Sequence, residues 1–130
     1  MKRILAPIVI ALTFTVMFSS TSYAGWTRVV SAGGNTHYVD FERIRKHDGY
    51  VYYWMLQDYL KPNEYGYLSG ESYTQGDCEL FRVKWLSYVH HKQPMGRDVG
   101  EANSPNDPEW VYPGPNTGLE AILKYVCLVS

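Results

Sequence analysis

Four histidines, His37, His47, His90 and His91, and two cysteines, Cys78 and Cys127, are the residues of this 130-residue chain best suited to chemistry. His90 and His91 are adjacent. In a strand they point to opposite faces and cannot chelate one ion together. Their plain reading is solvated strand-end histidines. The sharper reading is an axial haem ligand at one of them, supported by nearby tyrosines. A second cluster, Glu42, Arg43, Arg45, Lys46 and His47, holds the base and the cations that a small ribonuclease needs. Charged residues around a turn more often form a solvated face. Segment 98–109 carries Asp98, Glu101, Asp107 and Glu109 with Asn103 and Asn106. Calcium takes about six to eight oxygens at close range. This spacing matches no EF-hand loop, so the segment reads as solvated loop with no metal. No GxSxG, HExxH, Walker or dinucleotide-binding pattern occurs, and no catalytic residue is assigned.

The cysteines are read through their compartment. Lys2 and Arg3 precede an almost wholly apolar run at 4–18, and Ser22-Tyr23-Ala24 then places small residues before Gly25. That is the pattern of a cleaved export signal over residues 1–24. The apolar run is about 15 residues, short of the ~20 that span a bilayer. The mature domain, 25–130, is therefore expected in the periplasm, outside the cell or at its surface. No transmembrane anchor survives cleavage, and no cysteine is placed for a lipid anchor. In so small an exported domain, two cysteines imply a Cys78–Cys127 disulfide. The spacing is neither CxxC nor a zinc pattern.

Without Lys2 and Arg3, ten basic residues face 13 acidic ones, a net charge of −3. Nucleic-acid affinity rests on clustered cations, so no nucleic-acid partner is expected. The length suits one domain.

These residues need elements to hold them. Strands are expected at 26–31, 36–41, 50–59 and 78–90, with turns at Ala32-Gly33-Gly34-Asn35 and Asp48-Gly49. Residues 41–46 are ambiguous between a helical turn and a strand. The polar 61–77 stretch has room for one edge strand. Residues 93–109 form a loop, and 110–112 are short and extended. Thr117-Gly118-Leu119-Glu120 matches a capping box. Leu119, Ile122, Leu123, Val126 and Cys127 then trace one apolar helical face. The fold class is α+β: a single antiparallel sheet of about five to six strands, with a C-terminal helix stapled across it. One detail resists. Strict alternation from Cys78 places Arg82 and Lys84 beneath the helix, unless a bulge near 79–82 switches the phase or the other face carries a second aromatic core.

Tyrosine is the most informative composition feature, with four Trp beside it. Trp26, Trp54 and Trp110 read as core. Tyr65, Tyr67 and Tyr73, with Lys61 and Arg97, are the expected binding face; the competing reading has the tyrosines covering the core edge.

The chain resembles the surface-adhesin protein E family of exported bacterial domains. The resemblance lies in Trp26, Tyr38-Val39-Asp40, Ile44, Gly49, Trp54-x-Leu56-x-Asp58-Tyr59, Ser69, Asp77-Cys78, Arg82, Tyr88, Trp110, Pro113-Gly114 and Val126-Cys127. It implies a curved antiparallel sheet tied to a C-terminal helix. It also implies a non-enzymatic role in adhesion, through host extracellular-matrix or serum proteins, with haem as a further ligand. The missing anchoring cysteine favours the alternative, a periplasmic structural or accessory envelope module. A small secreted enzyme trails both. An exposed sheet edge would allow a homodimer.

Overall fold

The computed structural model describes residues 25–130; the expected signal peptide lies outside the described residues. The strands are β1 (Trp26–Ala32), β2 (Asn35–Asp40), β3 (Arg45–His47), β4 (Tyr50–Tyr59), β5 (Ser69–Asp77), β6 (Arg82–His91) and β7 (Glu101–Asn103). One helix, α1 (Gly118–Val129), follows. The strands form one antiparallel sheet in the order β1-β2-β4-β5-β6-β7, with β3 paired to β4. The sheet thus has five long strands and two of three residues, with a C-terminal helix, as the sequence pattern implies. Residues 41–46 adopt both expected forms in turn, a 3₁₀ turn at Phe41–Arg43 and then β3. Asp48 and Gly49 have φ of 51° and 83°, the left-handed pair that a two-residue hairpin between His47 and Tyr50 demands.

The core lies between the sheet and α1. Alternation along β2 and β4 sends Val39, Val51, Tyr53 and Met55 to one face, where Ile122 and Val126 meet them. Thr117 Oγ1 accepts from the Glu120 amide at 3.2 Å and starts the helix. Glu120 Oε1 accepts from the Asn116 amide rather than the Thr117 amide, a capping box shifted by one residue. Asn116 is left-handed, with φ of 61°, which turns its amide inward. A Cβ on Gly76 would stand 3.0 Å from both Leu123 Cδ1 and Val51 Cγ1, so the helix rests on bare β5 backbone there.

Three expectations need correction. First, β5 is not an edge strand: it pairs along its length with β4 on one side and β6 on the other. Its Ser, Gly, Glu and Gln residues show no apolar alternation because several occupy positions where larger side chains would clash or fill open space. Second, residues 78–81 are a turn rather than strand, and β6 begins at Arg82. Asp77 Oδ1 accepts from the Glu79 and Leu80 amides, each at 3.1 Å, and Phe81 has φ of 52°. The turn resets the alternation, so Val83 faces the core while Arg82 and Lys84 face away from α1. The bulge lies later, where Leu86 is the extra residue between the Tyr73–Ser87 and Thr74–Trp85 pairs. Third, Trp26, Trp54 and Trp110 are half-buried, outside the α1 core.

The disulfide joins Cys78 in the β5–β6 turn to Cys127 in the last turn of α1, with a Cα–Cα separation of 5.7 Å.

Candidate functional site

The sheet face opposite α1 carries a row of aromatic rings, because even-numbered β4 residues and odd-numbered β5 residues point there. Tyr73 lies 5.2 Å from Trp54 and 6.2 Å from Tyr52, centroid to centroid. Tyr50 meets Trp110 at 5.5 Å. Cations interleave with the rings. Arg43 stands over Trp54 at 5.6 Å and Trp26 at 6.0 Å; Arg82 and Lys84 stand over Trp110 at 4.0 and 4.6 Å. Two buried carboxylates fix the guanidiniums: Asp40 holds Arg43 Nε at 2.6 Å and Asp77 holds Arg82 Nε at 2.9 Å. The hydrogen bond to Asp77 pushes the Arg82 pKa above its ordinary value. Tyr52, Trp54, Tyr73, Arg82 and Lys84 are half-exposed.

On the α1 side, the helix covers β1, β2 and β4 and leaves part of β5 and β6 open. A cleft of ≈ 570 Å³ lies between the start of α1 and β6. Gly70 and Ser72 give it a low floor; Tyr59, Trp85 and Tyr88 supply aromatic walls. Burial pushes the hydroxyls of Tyr59 and Tyr88 above the ordinary phenol range, so both remain neutral. Its wall continues as a ladder of rings, Trp85 to Tyr88, Tyr88 to His90, His90 to Tyr67 and Tyr67 to Tyr65, at 6.4, 6.0, 5.0 and 6.4 Å. His37 sits at the helix end of the cleft, where a Cβ on Gly118 would overlap its ring.

His90 and His91 point to opposite faces, as adjacency requires. His91 is only 2% exposed, with Nε2 2.6 Å from Glu71 Oε2 and Nδ1 2.8 Å from Asp98 Oδ1. The ring thus bridges the two carboxyl groups, one at each nitrogen. This cluster, together with the Gly96 amide donating to Ser69 Oγ and the Met95 amide to Asp58 Oδ1, pins segment 92–100 to the sheet end. The sequence could not reveal it, since the carboxylates are 20 and 7 residues away.

The structure separates the predicted binding residues. Lys61, Tyr65 and Tyr67 lie in the β4–β5 loop, and Arg97 lies in the β6–β7 loop at the same end of the sheet. Tyr65 is exposed; Tyr67 donates to Glu101 Oε1 at 2.9 Å and stacks on His90. Tyr73 lies mid-strand on the opposite face. Arg43 belongs to the aromatic face and Arg45, Lys46 and His47 to the exposed β3; Lys46 and His47 border a shallow cleft beside the disulfide that Glu42, Arg43 and Arg45 do not line, so the sequence cluster at 42–47 is not brought together. Among the described residues, no group of His, Cys, Asp or Glu is placed to hold a metal ion.

The titrating groups predict a stability profile. Burial drives the His37 pKa below 6.5, so the unfolded chain takes up that proton first and stability declines as pH falls below 6.5. Burial opposes ionisation of Asp77 and Asp98. It is outweighed at Asp77 by the Leu80 and Glu79 amides and Arg82, and at Asp98 by the Lys92 amide and His91. Both carboxyls therefore sit below 3.8, and their contribution is full above 3.8 and lost as pH falls through the folded values. Urea midpoints should show a shallow decline from pH 6.5 and a steeper one below 3.8. In His37→Gln the shallow step should vanish and the steep one persist; an unchanged profile contradicts the assignment.

An open antiparallel sheet backed by one helix, with ring-rich surfaces on both sides, defines a binding domain of the α+β class. The profile of the surface-adhesin protein E family matches residues 26–128, and the chain belongs to that family. Membership implies a non-enzymatic binding protein of the adhesin type. A search of curated proteins found no match. Among solved structures, Haemophilus influenzae protein E in crystal form II aligns with a TM-score of 0.61 at 16% identity, over 90% of this chain and 98% of that one. A second structure of Haemophilus influenzae protein E aligns at 0.58 and 16%, over 88% and 92%. Protein E from non-typeable Haemophilus influenzae aligns at 0.55 and 16%, over 87% and 82%. At that identity the likeness is one of fold. No described helix is long and apolar enough to cross a membrane.

Proposed function

We propose that this chain is an exported adhesin-type domain that binds host extracellular-matrix or serum proteins through the aromatic face opposite α1. The observation that carries this reading is the row of Tyr52, Trp54 and Tyr73 with Arg43, Arg82 and Lys84 around it. Tyr, Trp and Arg are the residue types that dominate protein–protein hot spots, and rigid rings lose little entropy on contact. Paired guanidiniums held by buried carboxylates are already oriented before a partner arrives.

Lys61, Tyr65, Tyr67 and Arg97 form a second, smaller protein-binding candidate at the sheet end. Haem finds less support. His91 has both ring nitrogens on carboxylates, and no Lys or Arg lines the cleft beside His90 to meet the porphyrin carboxylates.

The test is biolayer interferometry against a panel of matrix and serum proteins. Trp54→Ser with Tyr73→Ser should weaken binding by roughly 30-fold or more while leaving the thermal transition in place. The set Lys61→Ser, Tyr65→Ser, Tyr67→Ser and Arg97→Ser should retain most of it. Loss in this second set with binding retained in the first would move the site to the sheet end. Protease treatment of intact cells should digest the protein. Protection until osmotic shock would favour the periplasmic envelope module.

A further inference from the structure

The cleft beside α1 has a composition that selects its ligand. We propose that it is a glycan-binding site, taking a neutral sugar ring edge-on between Tyr59 and the Trp85–Tyr88 wall. This site lies on the opposite side of the sheet from the protein-binding face and does not rest on that reading.

Three observations converge. The floor is low: Gly70 and Ser72 are small, while their neighbours on β4 and β6, Gln57, Met55, His90 and Tyr88, are large. The Tyr59 hydroxyl lies over Gly70, 2.9 Å from where a Cβ would stand, and the open space continues over Ser72 towards Trp85 and Tyr88. The charge is wrong for an anion. No Lys or Arg is among the lining residues, and the carboxylate of Glu71, which borders the cleft, is turned to the other face, where it meets His91. Phosphorylated, sulfated and carboxylated ligands would enter without a counter-charge. The polar groups also suit hydroxyls. Gln57 and Ser72 line the cleft, and the Tyr59 and Tyr88 hydroxyls stay neutral.

Two wall histidines add to this. His37 is 7% exposed, and its Nδ1 and that of His90 have no hydrogen-bond partner in the protein. Burial keeps His37 neutral, so one ring nitrogen accepts. A ligand hydroxyl, met by a turn of either ring, supplies the missing donor. A ligand with two apolar faces and a rim of hydroxyls meets every one of these conditions. A purely apolar ligand would leave the polar rim and both nitrogens without partners.

The experiment uses the full-chain protein with its disulfide intact. An array of neutral oligosaccharides, including lactose, maltotriose and chitotriose, is probed with heparin as the charged comparison. The strongest neutral binder is then titrated by calorimetry and by tryptophan fluorescence, which Trp85 should report. At least one neutral oligosaccharide should bind, and heparin should not compete with it. Trp85→Ala, and Ser72→Leu to fill the floor, should each weaken binding by about tenfold. Trp85→Phe keeps a ring and guards against misfolding of the alanine variant; it should restore most of the affinity. Tyr52→Ser on the far face should bind as the parent does. The proposal is overturned if no neutral oligosaccharide binds, if only heparin does, or if Trp85→Ala and Ser72→Leu bind undiminished.

Discussion

Reduction of Cys78–Cys127, or the double substitution Cys78→Ala with Cys127→Ala, should lower the unfolding free energy by ~4 kcal/mol, which is the loop-closure entropy for a separation of 49 residues. Small domains have only about 5–15 kcal/mol in total, so the reduced chain should be partly unfolded at 37 °C. The loss has a particular shape. α1 contributes Ile122, Leu123 and Val126 to the core, all fully buried. Without the bond, the helix is held by that stripe alone and its last turn should fray first. Hydrogen exchange should speed most at residues 124–130. Urea unfolding with and without reductant measures the magnitude; a difference under 1 kcal/mol would mean that residual denatured-state structure or native strain cancels the constraint.

His91→Leu should be the most damaging single substitution at the sheet end. It leaves Glu71 and Asp98 facing each other with no donor between them. A buried polar group stripped of its partner costs about 1–3 kcal/mol. Glu71 should fall towards the upper part of that range and Asp98, whose side chain is 33% exposed, towards the lower. The damage should also be local. Segment 92–100 loses the ring that bridges it to β5, and the Lys92 amide loses a fixed Asp98 Oδ2. Amide exchange at Lys92 and Gly96 should accelerate before global unfolding. Adding Glu71→Gln and Asp98→Asn should recover part of the loss, because two neutral amides no longer repel. If His91→Leu leaves both stability and exchange unchanged, the His91 bridge is not what holds the loop.

These two sites also mark what a sequence can disclose. The disulfide was legible because the pattern at 1–24 reads as an export signal, which implies an oxidising compartment, and two cysteines admit one pairing. β4 was legible over its full span, Tyr50–Tyr59, because β-branched and aromatic residues crowd there between an Asp-Gly turn and a polar stretch. The helix start was legible from Thr117 and Glu120. The His91 bridge was not, since nothing local links residue 91 to residues 71 and 98. β5 was misplaced for a related reason. Gly70, Ser72, Thr74 and Gly76 are small because α1 and the cleft lie over them, and that information belongs to distant residues. The tryptophans were assigned to the core because aromatic content says how much surface wants cover, not which sheet face receives it. Of the predicted binding residues, Tyr73 alone joined the aromatic row. Its partners Tyr52 and Trp54 sit on a strand whose alternation was masked by apolar residues on both faces.

The position of the staple has a mechanical consequence. A pull applied to the chain beyond Cys127 does not first peel α1 from the sheet. It passes through the covalent bond into the β5–β6 turn. Load then spreads across the hydrogen-bond ladders that β5 shares with β4 and β6, the two longest pairings in the molecule. A domain wired in this way transmits tension while both of its ringed surfaces keep their shape.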